Sequence, residues 1–167
     1  MVHEVINKLK SLSIKEVFFG ASGFNIVDES SINTLQLGYS IDLDGNDLTG
    51  MDEGDWQESW VVIGTDTEVG DPFFVDISES SLPVYTAMHG NDYWEPELVA
   101  TSLNSFLELL SYLHGLGEQN CPQIEPDERT ISDFNELSSI QKRLQSISGE
   151  VDFWEDFIDQ HKEWLEE

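Results

Sequence analysis

The sequence offers few residues that could act as catalytic groups. The only cysteine is Cys121, and three of the four histidines, His89, His114 and His161, are candidates for acid–base work. General acid–base catalysis needs a positioned pair of groups, and nucleophilic catalysis needs a nucleophile beside a base. No histidine stands in such a pattern with Cys121 or with a Gly-x-Ser-x-Gly turn, and no His/Cys pair has the spacing of zinc ligands. The sequence therefore predicts a protein without enzymatic activity, cofactor or metal.

The chemistry that the sequence does concentrate is negative charge. Thirty-four Asp and Glu against seven Lys and Arg give a net charge of −27, and residues 16–128 contain no Lys or Arg. Nucleic acid is excluded as a direct ligand, because phosphate binding needs clusters of basic side chains. An acidic surface favours solubility, and it also steers a basic protein partner towards itself.

The densest group of carboxylates lies in a predicted loop at residues 42–58, DLDGNDLTGMDEGDWQE. A basic partner is expected to bind there, with one aromatic residue of a later loop as an anchor. The residues predicted to bind the partner are Asp42, Asp44, Asp47, Asp52, Glu53, Asp55 and Trp94.

The same loop partly matches a calcium site. Four oxygen-bearing residues fall at positions 1, 3, 5 and 12 of the EF-hand pattern: Asp42, Asp44, Asn46 and Glu53. Position 6, where the pattern requires glycine, holds Asp47, and a predicted strand precedes the loop where a helix should. A turn of the Asp-Gly-Asn-Asp type explains the same residues without metal. A calcium-binding acidic domain is therefore the lesser alternative.

The elements that must position this loop follow from the spacing of apolar residues. Residues 2–14 have the period of a short amphipathic helix. Apolar runs bounded by turn residues predict strands at 16–20, 23–27, 32–43, 60–63, 72–77 and 83–88. The last three runs predict a meander at the centre of the sheet. The run at 32–43 is assigned as a strand because of strict alternation at Leu35, Leu37, Tyr39, Ile41 and Leu43.

The second half of the sequence is predicted to be mainly helical. An extended segment at 97–101 leads to Ser102, a good N-cap, and the helix that follows closes at His114-Gly115. Two more amphipathic helices, at 131–147 and 151–165, are separated by Ser148-Gly149 and predict a helical hairpin. His161 falls on an apolar stripe and is expected in the core or at its rim.

These elements predict an α+β fold with a mixed, mostly antiparallel sheet of about five to six strands flanked by helices. The predicted organisation is a domain at 1–117, a linker at 118–130, and a helical extension at 131–167 packed on the same domain. No apolar run reaches the roughly 18 residues of a membrane span, and no secretory signal pattern opens the sequence. Location in the cytoplasm without membrane attachment is therefore expected.

A series of motifs in the centre of the chain resembles the SUKH superfamily. The motifs are Trp60-Val-Val-Ile-Gly64-Thr-Asp66, Gly70-Asp71-Pro72-Phe-Phe-Val-Asp76, Pro83-Val84-Tyr85, His89 and Val99-Ala100-x-Ser102-Leu103-x-x-Phe106-Leu107. The superfamily includes the Smi/Knr-type yeast cell-wall regulators and bacterial immunity proteins that are paired with secreted toxins. The Leu-Pro and Asn-Gly pairs that the family usually carries before its sheet are not evident here.

The resemblance implies a mixed sheet flanked by helices and a binding role without chemistry of its own. Together with the charge, it predicts an immunity-type protein that places carboxylates in the basic substrate groove of a nuclease-like toxin. A regulatory or scaffold module of the Smi/Knr type without a toxin partner is the alternative.

Overall fold

The computed structural model describes residues 2–90, 92–117 and 119–167 of the chain. Within these ranges six strands and five α-helices form an α+β fold, which confirms the predicted class. The strands are β1 (Glu16–Phe19), β2 (Ser22–Ile26), β3 (Trp60–Asp66), β4 (Pro72–Asp76), β5 (Val84–Thr86) and β6 (Glu97–Ala100). The helices are α1 (Val2–Ser11), α2 (Ile32–Leu35), α3 (Leu103–Gly115), α4 (Phe134–Ser148) and α5 (Phe153–Glu166).

The strands follow one another across the sheet in chain order, and each described pair of neighbours is antiparallel. The predicted hairpin is β1–β2, and the predicted central meander is β3–β4–β5. A register shift between Val62 and Gly64 interrupts the β3–β4 ladder. Gly64 is needed beside it, because a Cβ there would lie 2.5 Å from the carbonyl oxygen of Asn25 on the neighbouring strand.

The strand predicted at 32–43 is wrong. The segment begins with the helical turn α2 and continues through turns. Its strand-like pairing in the described ranges is limited to two isolated bridges, of Leu37 with Ile41 and of Ile41 with Asp47. Its alternating apolar residues do not share one buried face, since Leu37 and Ile41 are each 36% exposed. Leu35 and Tyr39, four positions apart, pack on the sheet instead. The alternation therefore concealed a helix-like spacing of the residues that are buried.

The two faces of the sheet bury different clusters. On β3 and β4, Ile63, Phe73 and Val75 belong to the main core, while Val62 and Phe74 belong to a smaller cluster on the opposite face. This is the period of two that a strand buried on both faces requires. The main core also contains the buried residues of α1, α3, α4 and α5. These four helices therefore cover one face, and the other face is covered by loops and by Leu35 of α2.

The predicted C-terminal helical hairpin is present and packs on the rest of the domain. Ser102 caps α3 as predicted, its Oγ accepting a hydrogen bond of 3.1 Å from the backbone N–H of Ser105. Gly149 ends α4 with a left-handed φ of 93°, a conformation that favours glycine. The indole N–H of Trp154 on α5 donates to the carbonyl oxygen of Val99 on β6 at 2.9 Å. This bond ties the helical extension to the last strand of the sheet.

The described part of the linker lies against the β1–β2 turn. The side chain of Gln119 donates to the carbonyl oxygen of Gly20 at 2.6 Å, and the backbone N–H of Gln123 donates to the same oxygen at 2.9 Å. The Nε2 of His161 lies 2.8 Å from the carbonyl oxygen of Ile131. His161 is buried beside this contact, as predicted for the apolar stripe of α5.

Candidate protein-binding surface

The loop-covered face of the sheet carries a cluster of aromatic side chains, which we call the aromatic face: Tyr39, Trp56, Trp60, Phe74, Tyr85 and Trp94. Trp56 is its buried centre, with ring centroids 4.7 Å from Phe74, 5.1 Å from Tyr39 and 5.1 Å from Trp94. Its indole N–H donates to the carbonyl oxygen of Trp60 at 3.3 Å. Because the outer rings of the cluster are only half-buried, the face combines a rigid base with accessible aromatic surface.

Residues 36–59 cover this face and include the loop at 42–58, which we call the acidic loop. The backbone N–H of Gly50 donates to the carbonyl oxygen of Trp56 at 3.0 Å, and that of Trp94 donates to the carbonyl oxygen of Gly54 at 2.8 Å. The first bond lies within the acidic loop, and the second joins the loop to the segment that carries Trp94. Together with the burial of the Trp56 side chain in the aromatic face, they hold the loop in place.

Two of the predicted binding carboxylates shape the loop itself. Asp42 accepts hydrogen bonds from the backbone N–H groups of Asp44 and Asn46, at 2.9 Å and 2.8 Å, and from the side chain of Asn46 at 3.0 Å. Asp47 accepts from the hydroxyl and the backbone N–H of Thr49, at 2.7 Å and 2.8 Å. Hydrogen bonding, from the Asn46 side chain first, lowers the pKa of Asp42, and the Thr49 hydroxyl likewise lowers the pKa of Asp47. Both groups are therefore held as carboxylates.

The other predicted carboxylates of the loop are placed differently. Asp44, Asp52 and Glu53 are exposed, and their side-chain oxygens accept no hydrogen bond from any residue in the described ranges. Asp55 is half-buried, and its carboxylate accepts from the backbone N–H of Asp52 at 3.1 Å. Across the described residues, the ion pairs involve none of these side chains. The acidic loop thus presents carboxylates that are available to an external cation.

The structure places the predicted anchor, Trp94, at the edge of the aromatic face. It is half-buried in the aromatic face, and its neighbour Tyr93 is the exposed aromatic of that loop. Apolar side chains on the acidic loop are more accessible, with Leu43 at 90% and Met51 at 96% exposure. Sequence reasoning missed the aromatic face because its members come from five separate segments. The available signal was the position of Trp56 within the acidic loop and of Trp60 just after it.

The geometry of the loop agrees with a turn built on Asp42. Its two carboxylate oxygens are occupied by hydrogen bonds from within the loop, as in an Asx turn. Among the described residues, no three His, Cys, Asp or Glu side chains converge closely enough to hold a metal ion.

The residues considered for catalysis are dispersed. The Nδ1 of His89 lies 2.6 Å from Asp71 at the surface, while His161 is buried and His114 lies in the last turn of α3. Cys121 is exposed in the linker. Within the described ranges, hydrogen bonds join no histidine to Cys121 or to a serine or threonine hydroxyl.

None of the helices in the described ranges is long and apolar enough to cross a membrane. Comparisons with family models, with curated proteins and with solved structures find no match to this chain. The SUKH resemblance therefore stays a prediction, supported by the motifs of the sequence alone.

Proposed function

We propose that this protein is a non-catalytic acidic protein-binding domain of the immunity type. In this proposal it neutralises a basic, nuclease-like toxin by occupying the substrate groove with carboxylates in place of phosphates. The observation that carries the proposal is the acidic loop, whose exposed carboxylates have no Lys or Arg beside them in the described ranges. The motifs that resemble the SUKH superfamily support the same reading.

The way in which the loop is held favours binding over simple solvation. Asp42 and Asp47 fix the local backbone. Trp56 of the loop is buried in the aromatic face, and Gly54 is hydrogen-bonded to Trp94. Preorganisation of this kind lowers the entropy cost of ordering a surface when a partner binds. Asp44, Asp52 and Glu53 are then the carboxylates that can pair with basic side chains of the partner.

The apolar side chains of the loop supply a second component. Leu43 and Met51 extend into solvent between the carboxylates in sequence, although water is an unfavourable environment for them. Complementary charge mainly accelerates association and sets specificity, while buried apolar contacts contribute most of the affinity. The loop offers both kinds of contact.

The test is capture of a partner from the native host at low ionic strength, with identification by mass spectrometry. Three proteins are compared: the wild type, a loop variant and a control variant with the same loss of charge elsewhere. The loop variant is Asp44→Asn, Asp52→Asn and Glu53→Gln. The control is Glu125→Gln, Glu128→Gln and Glu163→Gln, all at exposed positions outside the loop.

We expect the wild type and the control variant to capture a basic nuclease and to inhibit its cleavage of nucleic acid. The loop variant is expected to bind it at least about tenfold more weakly, because steering and ion pairing are reduced. Failure to recover any basic protein, or equal binding by the loop variant, would contradict the proposal. Capture of a basic protein without toxic activity would instead favour the regulatory module of the Smi/Knr type.

A further inference from the structure

A cleft of about 710 Å³ lies at one end of the sheet, and none of the residues that line it belongs to the acidic loop. It lies where β2, β4 and β6 begin and β3 and β5 end, and α5 forms its remaining wall. Its volume is within the range of about 300–1,000 Å³ that ligand-binding clefts occupy. The antiparallel order of the strands is what brings these five strand ends together.

The interior of the cleft is apolar and aromatic. Phe24, Phe73 and Phe157 form its buried base, with the ring of Phe24 5.2 Å from Phe73 and 5.8 Å from Phe157. At the opening, Val69 and Met88 are 64% and 65% exposed. The rings are fixed by the main core, whereas these two side chains lie in contact with water. The apolar surface that is open to an occupant is therefore mainly that of Val69 and Met88, above a fixed aromatic base.

Two of the acidic side chains that line the cleft already have partners. Asp66 accepts hydrogen bonds from the backbone N–H groups of the β3–β4 turn, including those of Glu68 at 2.9 Å and Val69 at 2.8 Å. Asp71 accepts from the backbone N–H of His89 at 3.0 Å and lies 2.6 Å from its ring. These two carboxylates stabilise the wall of the cleft.

The remaining acids of the cleft are Glu68, Glu95 and Glu97. Glu68 accepts one long hydrogen bond, of 3.4 Å, from the Ser22 hydroxyl. None of the three forms an ion pair with any described residue, and no Lys or Arg lines the cleft. Partial burial, followed by repulsion from Asp66, raises the pKa of Glu68. Partial burial likewise raises the pKa of Glu97, with repulsion from Asp156 as the smaller cause. Both carboxylates thus lie where a cation would relieve an unfavourable charge.

Charge and shape together select the occupant. A second copy of this chain would bring another net charge of −27 and is therefore repelled. A neutral occupant would cover the glutamates without compensating them. Arginine matches both parts of the cleft, because its guanidinium binds carboxylates with paired hydrogen bonds and is carried on a methylene stem that packs on apolar side chains.

We propose that this cleft receives an arginine side chain of the protein partner, with its stem against the apolar lining and its guanidinium paired with one of the glutamates that line the cleft. The inference rests on the proposed function, since it assigns a second contact to the same basic partner. The acidic loop would then govern association, and the cleft would select a partner that presents an arginine.

The test uses a peptide and does not require the partner to be known. Amide chemical shifts of the ¹⁵N-labelled full-length protein are followed during titration with acetyl-Gly-Arg-Gly-amide. The matched probe is acetyl-Gly-citrulline-Gly-amide, which has nearly the same shape without the charge. We expect saturable shifts confined to the cleft with the arginine peptide and at least about tenfold weaker binding of the citrulline peptide.

Two variants locate the site. Glu68→Gln with Glu97→Gln is expected to weaken binding of the arginine peptide, while Glu125→Gln with Glu128→Gln, an equal change of charge, is expected to leave it unchanged. The inference is overturned by equal affinity for the two peptides, by shifts centred on the acidic loop, or by wild-type affinity in the cleft variant. Each of these results leaves the loop test of the proposed function intact, and loss of that function would not alter the peptide result.

Discussion

The side-chain amide of Gln36 pairs with both backbone groups of Val62. Its oxygen accepts the N–H of Val62 at 2.9 Å, and its nitrogen donates to the carbonyl oxygen of Val62 at 2.8 Å. β2 pairs with β3 only from Gly64 to Asp66, so Val62 lies beyond the paired stretch. The side chain of Gln36 thus makes the two hydrogen bonds that a neighbouring strand would otherwise make with Val62. It also fixes the start of the loop region that covers the aromatic face.

Replacement of Gln36 by leucine, which has a similar size, should reduce the free energy of unfolding by about 1–3 kcal/mol, because it leaves two backbone groups of Val62 without partners. Gln57→Leu is the matched control, since the Gln57 amide donates only to carbonyl oxygens within the acidic loop. Urea denaturation followed by tryptophan fluorescence measures the difference. Equal stability of the Gln36 variant and the wild type would show that water serves Val62 as well.

Trp56→Ala should be among the most destabilising substitutions outside the main core. Trp56 is the buried centre of the aromatic face, and removal of a buried tryptophan side chain costs about 3–5 kcal/mol. Trp56→Phe should cost less, because it keeps most of the ring contacts and loses the indole hydrogen bond to Trp60. Chemical denaturation of the two variants measures both values. A smaller loss for alanine than for phenylalanine would contradict the role of Trp56 as the centre of the face.

The stability of the protein should fall as the pH falls below about 6.5, in part because of His161. Burial lowers the pKa of His161 in the folded chain from the ordinary value of 6.5, although its hydrogen bond to Ile131 opposes this. In acid the unfolded chain therefore binds this proton first, and the free energy of unfolding decreases. Thermal denaturation between pH 7.5 and pH 5.5 should show a weaker pH dependence in His161→Gln than in the wild type. His3→Gln is the control at an exposed position. If both variants weaken the pH dependence equally, the effect does not come from the burial of His161.

Glu97→Gln should stabilise the free protein at pH 7. The pKa of Glu97 is raised in the folded chain, so folding favours its protonated form and the charged form is the costly one. The advantage of the variant should shrink as the pH falls towards 4, where the wild-type side chain becomes neutral too. Thermal unfolding at the two pH values checks this. A destabilised variant at pH 7 would indicate that the carboxylate has a favourable partner in the free protein.

The regular elements were predictable where apolar runs end at strong local signals. The meander from Trp60 to Thr86 is bounded by turn residues, and α3 begins at a serine that caps it as expected. The strand predicted at 32–43 was wrong because the alternation of apolar residues does not show which of them become buried. The conformation of this segment depends on the bond of Gln36 to Val62 on β3 and on the packing of Tyr39 against Trp56, both distant in sequence.

Of the candidate sites, one was visible in the sequence and two were not. The acidic loop could be found from composition, because its carboxylates are contiguous in the sequence. The aromatic face and the cleft could not, since Glu68 and Glu97 are brought to the same cleft only by the pairing of the strands between them. Sites of this second kind depend on topology and carry no local pattern.

The attachment of the C-terminal helices to β6 has a consequence for the boundaries of the domain. The outer side of the last strand of an open sheet carries unpaired backbone groups, which are a template for aggregation. Here the carbonyl oxygen of Val99 accepts a hydrogen bond from the indole N–H of Trp154. The backbone N–H of Thr101, just past the strand, donates to the carbonyl oxygen of Ser148 at 3.0 Å. A fragment ending at residue 117 would lack both partners and would leave these backbone groups open at the edge of β6. The helical extension thus completes the hydrogen bonding of the last strand.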